Sequence, residues 1–129
     1  MSRSSLSDTV TRLGAIGITP DDAATLRRIA TTLHRWSEAE CGNEYGAIER
    51  DEATGRPYWY NCSSRRRTPV PDREGGALRR LASVMKAYPA LTVYVQGDPR
   101  GAPLYLLRPG DVPEGEDAES YYNRGVAVY

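Results

Sequence analysis

The spacing of apolar residues changes along this chain, and that change constrains the fold more than any other feature. From Leu26 to Trp36 the apolar positions are Leu26, Ile29, Ala30, Leu33 and Trp36, the three-and-four spacing of one helix face. From Leu91 onward Leu91, Val93 and Val95 alternate with Thr92, Tyr94 and Gln96, the period of two of a strand. A chain carrying both periods must pack helices on a sheet. Its 129 residues suffice for one domain with a core of its own, spanning 1–129. Residues 1–18 are expected to include a loosely ordered N-terminal arm, with a weaker helix signal around Leu6–Leu13.

Local signals place the elements. Thr19-Pro20-Asp21-Asp22 reads as an N-cap, a proline at the first helical position and two acids facing the positive helix end. Gly42-Asn43 is expected to stop that helix. Gly46–Arg50 and Arg56–Tyr60, joined by a turn ending in Gly55, predict a hairpin. Pro57 lacks an amide donor, which suits an edge position or a strand start. Within Tyr58-Trp59-Tyr60, alternation should put one face in the core and leave the other to cover a partner or stack on a base. Cys62–Val70 reads as a loop. Pro71-Asp72 is expected to open a second helix, with Asp72 as N-cap and Leu78, Leu81, Ala82, Met85 and Tyr88 as its apolar stripe. Gly75-Gly76 would weaken its first turn or admit another backbone. Leu91–Gln96 and Leu104–Arg108 flank Gly97-Asp98-Pro99-Arg100-Gly101, where Asp, Pro and Gly sit as a type I turn prefers. Tyr121–Tyr129 reads as a last strand after an acidic loop. The expected class is α+β, an antiparallel sheet of hairpins with two main helices packed on one face.

Charge excludes some functions. The chain has 17 basic and 17 acidic residues, and 16 of the basic ones are arginine. Arg56–Arg80 holds seven arginines against two acids, whereas Gly110–Ser120 holds five acids and no base. Such a chain steers poorly toward a polyanion, so nucleic acid is not the expected main partner. Leu91–Val95, the longest strongly apolar run, is far too short to span a membrane. The polar start of the chain lacks the apolar run of a secretory signal, so a cytoplasmic location is expected.

Little in the sequence points to catalysis. His34 is the sole histidine, and with Cys41 and Cys62 it fits no zinc-ligand spacing. His34 and Glu38 can touch as an ordinary helix-surface pair. Cys41 lies near a helix C-terminus, where the dipole opposes thiolate formation. Glu49 and Asp51 share one strand parity, yet solvated strand-end acids are the commoner case. No nucleophile elbow or phosphate loop occurs. The expectation is a non-enzyme without cofactor or metal.

Arginine and tyrosine suit recognition of an anion bearing a base, guanidinium to phosphate and ring to base. By chemistry alone the candidate ligand-binding residues are Arg100, Arg65, Arg66, Arg67, Tyr94, Tyr105 and Asn123. Arg100 is not required by its turn, and Arg65–Arg67 form an unexplained basic run.

Tyr94–Leu106, with its Asp98-Pro99-Arg100-Gly101 centre, and Tyr122–Tyr129 resemble a widespread set of small phage and prophage proteins. Ile48–Glu52 and Pro71–Leu81 are similar to its longer members, so the resemblance covers about residues 26–129. It implies a phage accessory, anti-defence protein acting in the cytoplasm of a bacterial host. The leading expectation is a homo-oligomer that sequesters a small anionic, nucleotide-like signal without catalysis. The alternatives are an inhibitor that covers a host defence protein in the anti-CRISPR manner, and a nucleic-acid-binding regulator using Arg65–Arg67.

Overall fold

The computed structural model describes residues 5–39, 45–98 and 100–129. Its elements are α1 (Leu6–Gly14), α2 (Pro20–Ala39), β1 (Gly46–Arg50), β2 (Pro57–Asn61), β3 (Arg66–Thr68), α3 (Ala77–Met85), β4 (Thr92–Val95), β5 (Leu104–Leu107), α4 (Ala118–Tyr121) and β6 (Val126–Val128). All six strands form one antiparallel sheet in the order β3-β2-β1-β4-β5-β6. The fold is α+β, as the two apolar periods require.

Strand parity divides the interior in two. Ile48, Trp59, Val93, Val95, Leu104, Leu106 and Val128 point to one face and pack under α1, α2 and α3. Ala47, Tyr94 and Leu107 point to the other face, beneath α4 and the segment leading to it. The two main helices, α2 and α3, therefore share one face. The N-terminal segment from residue 5 is not a loose arm: Leu13 and Ile18 are buried in the main core, and Ser5 caps α1 by accepting from the Asp8 amide. Tyr88 joins α3 to the start of α2. Its hydroxyl donates to the Asp22 carboxylate and accepts from the Thr19 amide at 3.1 Å.

α2 begins at Pro20, and β1 and β2 form the expected hairpin, in a register that sets Ile48 opposite Trp59. Pro57 starts β2, an interior strand. Gly42-Asn43, Cys41 and Pro99 lie outside the described residues.

Three further expectations are corrected. The second helix starts at Ala77, not after Pro71, and Asp72 is not its N-cap. Glu74, Gly75 and Gly76 all have positive φ, so they form a left-handed turn that a helix cannot include. No other backbone approaches Gly75 or Gly76; their conformation is what calls for glycine. The span 62–70 is not all loop, because Arg66–Thr68 pairs with β2. The last strand does not begin at Tyr121. Asp117 caps α4 by accepting from the Ser120 amide, and a single 3-10 turn over Tyr122–Arg124 precedes β6.

Candidate functional site

The outer face of the sheet, opposite α1–α3, is only half covered. Over β4 and β5 it is closed by α4 and the 3-10 turn. Tyr122 stacks on Tyr94 with ring centroids 4.8 Å apart and meets Tyr105 edge-on at 5.0 Å. Arg108 anchors this cover: its guanidinium binds the Asp111 carboxylate at 3.0 Å and the Arg124 carbonyl at 3.1 Å. Gly125 lets the chain turn into β6 against β5, since an added Cβ would lie 2.7 Å from the Leu106 carbonyl oxygen.

Beyond Ala47 of β1, which lies buried beneath α4, the same face opens over Glu49 and over β2 and β3. Two adjoining hollows of about 650 and 540 Å³ run between these strands and the acidic segment before α4. Glu49, Gly115 and Glu116 line both. Tyr58, Arg67, Arg50 and Glu52 belong to the larger, and Tyr60, Arg65 and Asp117 to the smaller. The Tyr58 hydroxyl donates to Glu49 at 3.2 Å, and the Arg67 guanidinium lies 4.9 Å from the Tyr58 ring centre. Burial, together with the Glu49 charge, holds the Tyr58 phenol above its ordinary range. Four carboxylates and the guanidiniums of Arg65 and Arg67 thus share one groove, while the Arg50 guanidinium turns to the other face and the Met85 carbonyl. The basic middle and acidic tail of the sequence are brought face to face.

The seven sequence-chosen residues do not form one site. Arg65 and Arg67 border the groove, while Arg66, on the opposite parity, is exposed at the edge of the sheet. Arg65 has φ of 58° and closes the β2–β3 turn, its amide donating to the Asn61 carbonyl at 2.7 Å. Arg100 lies at the same end of the sheet, because Val95 pairs with Gly46 and Gly46 with Asn61. Two strand spacings, roughly 10 Å, separate its strand from β2. Its turn does explain it: Asp98 grips the Arg100 guanidinium at 3.0 Å and accepts from its amide at 2.9 Å. Hydrogen bonds from Arg100 hold the Asp98 carboxyl below its usual range. Tyr94 is 1% exposed and belongs to the core beneath Tyr122, and Tyr105 is half-buried beside it. Asn123 is exposed on the 3-10 turn.

The sequence reading did anticipate the split of Tyr58-Trp59-Tyr60: Trp59 is core, and Tyr58 and Tyr60 face the groove. It did not reach Glu116 and Asp117 as groove residues. Their only local sign was the run of acids, and nothing local tells which strands a loop crosses.

Potential catalytic groups are dispersed. His34 pairs with Glu38 at 2.9 Å on α2, away from the groove. Glu49 accepts from Tyr58, whereas Asp51 accepts from the Ala53 and Thr54 amides in the β1–β2 turn. Among the described residues no three metal-ligating side chains gather, and no helix is long and apolar enough to cross a membrane. The chain matches no family model, and no curated protein or solved structure is significantly similar to it.

Burial, then the nearby acids Glu119 and Asp117, pushes the Cys62 thiol up to about 12. Burial and the neighbouring Cys62 push the Tyr94 phenol up as well. Both groups ionise earlier in the unfolded chain, near pH 9 and 10. The unfolded state then binds fewer protons than the folded one, so stability falls as pH rises. The melting temperature should be level from pH 7 to about 8.5 and drop above pH 9. Thermal unfolding across pH 7–11 checks this, and Cys62→Ala should flatten the first part of the decline.

Proposed function

We propose that this chain is a non-catalytic phage accessory protein that works by protein–protein contact, with the open half of the sheet as its recognition face. The observation that carries the reading is the mixed lining of the groove. Tyr58, Tyr60, Arg65 and Arg67 are residue types that dominate protein interfaces. They stand among Glu49, Glu52, Glu116 and Asp117, which repel a phosphate and complement a partner carrying both signs. The candidate ligand residues point the same way, since Tyr94 is buried and Arg100 is held within its own turn. The phage context rests on the resemblance of the Tyr94–Leu106 and Tyr122–Tyr129 segments, and a host defence protein is the partner class it suggests.

Thermal shift against linear and cyclic nucleotides separates this from sequestration. A ligand at a hundred times its Kd stabilises by about 2.7 kcal/mol, which moves a melting temperature by roughly 10 °C. The expected shift is under 1 °C for each nucleotide. The positive arm is a photo-crosslinker at Tyr60, applied in infected host cells. It should trap one defined host protein that is lost on Glu116→Lys/Asp117→Lys exchange. A large nucleotide shift, or release of a nucleotide-sized mass on denaturation, would overturn the reading in favour of sequestration.

A further inference from the structure

The two edges of the sheet are treated differently. At β6 the edge is engaged: the Arg12 guanidinium from α1 donates to the Ala127 carbonyl at 2.7 Å. At the opposite edge β3 is the terminal strand, and all three of its residues are exposed. An edge strand presents alternate backbone N–H and C=O groups that template pairing with another chain. Directly after β3 the chain forms one wall of a third hollow, about 270 Å³, between Pro57, Pro69 and Val70 on one side and Arg79 of α3 and Lys86 at its C-cap on the other.

We propose that β3 is a docking edge for an extended acidic segment of a partner protein, which adds a seventh strand to the sheet and seats one apolar side chain in the Pro57–Val70 hollow. The inference rests on the reading that the chain works through protein contacts, and it names the partner's chemistry. Charge selects that chemistry. Arg65, Arg66 and Arg67 run along the edge, and Arg79 and Lys86 flank the hollow. Asp72 is the acid paired with Arg79, at 3.9 Å and with both side chains well exposed. A second copy of this chain does not fit, because pairing β3 with itself would set arginine rows against each other, and like charges on paired strands are destabilising. A strand edge also satisfies a peptide backbone rather than a phosphodiester one.

The probe is a fluorescein-labelled peptide of alternating Glu and Val, six to eight residues long, followed by anisotropy. Binding should appear at low salt and weaken at least tenfold for Arg66→Ser/Arg79→Ser, two exposed positions outside the groove whose exchange leaves the melting temperature in place. It should also weaken at least tenfold when alternate peptide amides are N-methylated, which keeps the charge and removes strand pairing. Amide NMR signals of residues 66–68 should shift on binding. Equal binding of the N-methylated peptide would reduce the contact to bare electrostatics and overturn the proposal. So would tighter binding of a DNA oligonucleotide, no binding of the unmodified peptide, or self-association through β3. A nucleotide ligand found by thermal shift would remove the contact reading while leaving any β3 result to stand separately.

Discussion

Gly46→Ala should lower the unfolding free energy by about 3 kcal/mol, toward the upper end of what overpacking a core costs. Gly46 lies directly under the Trp59 ring, and a Cβ there would come 2.2 Å from one ring carbon and 2.6 Å from two more. Real Cβ atoms do not approach that closely, so the indole must leave its place. Trp59 is 5% exposed and belongs to the main core, where losing a large aromatic's packing costs about 3–5 kcal/mol. A domain stable by about 5–15 kcal/mol would keep folding but lose much of its margin. The melting temperature should fall by roughly 10–15 °C. A double-mutant cycle tests the cause. In a Trp59→Leu background the ring is gone, and Gly46→Ala should then cost less than about 1 kcal/mol, a non-additivity typical of residues in contact. Equal costs in both backgrounds would show that the ring is not what makes glycine necessary.

That contact was beyond the reach of the sequence, although both residues were placed on the right strands. Alternation sets Trp59 on the face opposite Tyr58 and Tyr60, and the hairpin reading puts Gly46 and Trp59 on neighbouring strands. What alternation cannot give is the direction in which an indole lies once packed. The well-read elements share one property: their signals are local. Pro20 with its two acids starts α2, and Gly55 and Asp51 close the β1–β2 turn, because capping and turn chemistry act within a few residues. The misread elements depend on something farther away. β3 consists of Arg66, Arg67 and Thr68, with no apolar alternation, and is a strand because β2 offers it an unpaired edge. The start of α3 was misplaced for a different reason. Asp72 looked like a cap, but Gly75-Gly76 admitted a left-handed turn, which glycine adopts with little cost.

The candidate site divides in the same way. Tyr58 and Tyr60 on one face were legible from strand parity. The groove they border was not, because its far wall is a loop that returns more than fifty residues later. Arg100 looked unexplained only because its partner was counted as turn chemistry. Asp98 serves both the turn amide and the guanidinium two residues on. The same holds at β1, where Arg50 was read as a hairpin residue. Its guanidinium binds the Met85 carbonyl at the end of α3, where a cation meets the negative helix end.

Tyr94→Ala should be the other severe substitution, costing about 3–5 kcal/mol. The ring fills the second core between Ala47, Cys62 and Leu107 and carries the stack with Tyr122. Aromatic pairing of that kind adds about 0.5–1.5 kcal/mol beyond area burial. Removing it leaves Tyr122 and Tyr105 without their shared support, so α4 and the 3-10 turn should loosen before the α1–α3 side does. Faster amide exchange at Ala118–Arg124 than at Leu78–Met85 would report that order, alongside a lowered melting temperature. Tyr94→Phe keeps the volume and the stacked ring and should cost less than about 1.5 kcal/mol. The pair of variants decides between a core residue and a ligand residue. A core role predicts that stability follows ring volume and that peptide binding at β3 survives in the Phe variant. If instead Tyr94→Ala kept its melting temperature and lost only binding, the second core would not depend on this ring, and Tyr94 would have to open to the surface to act.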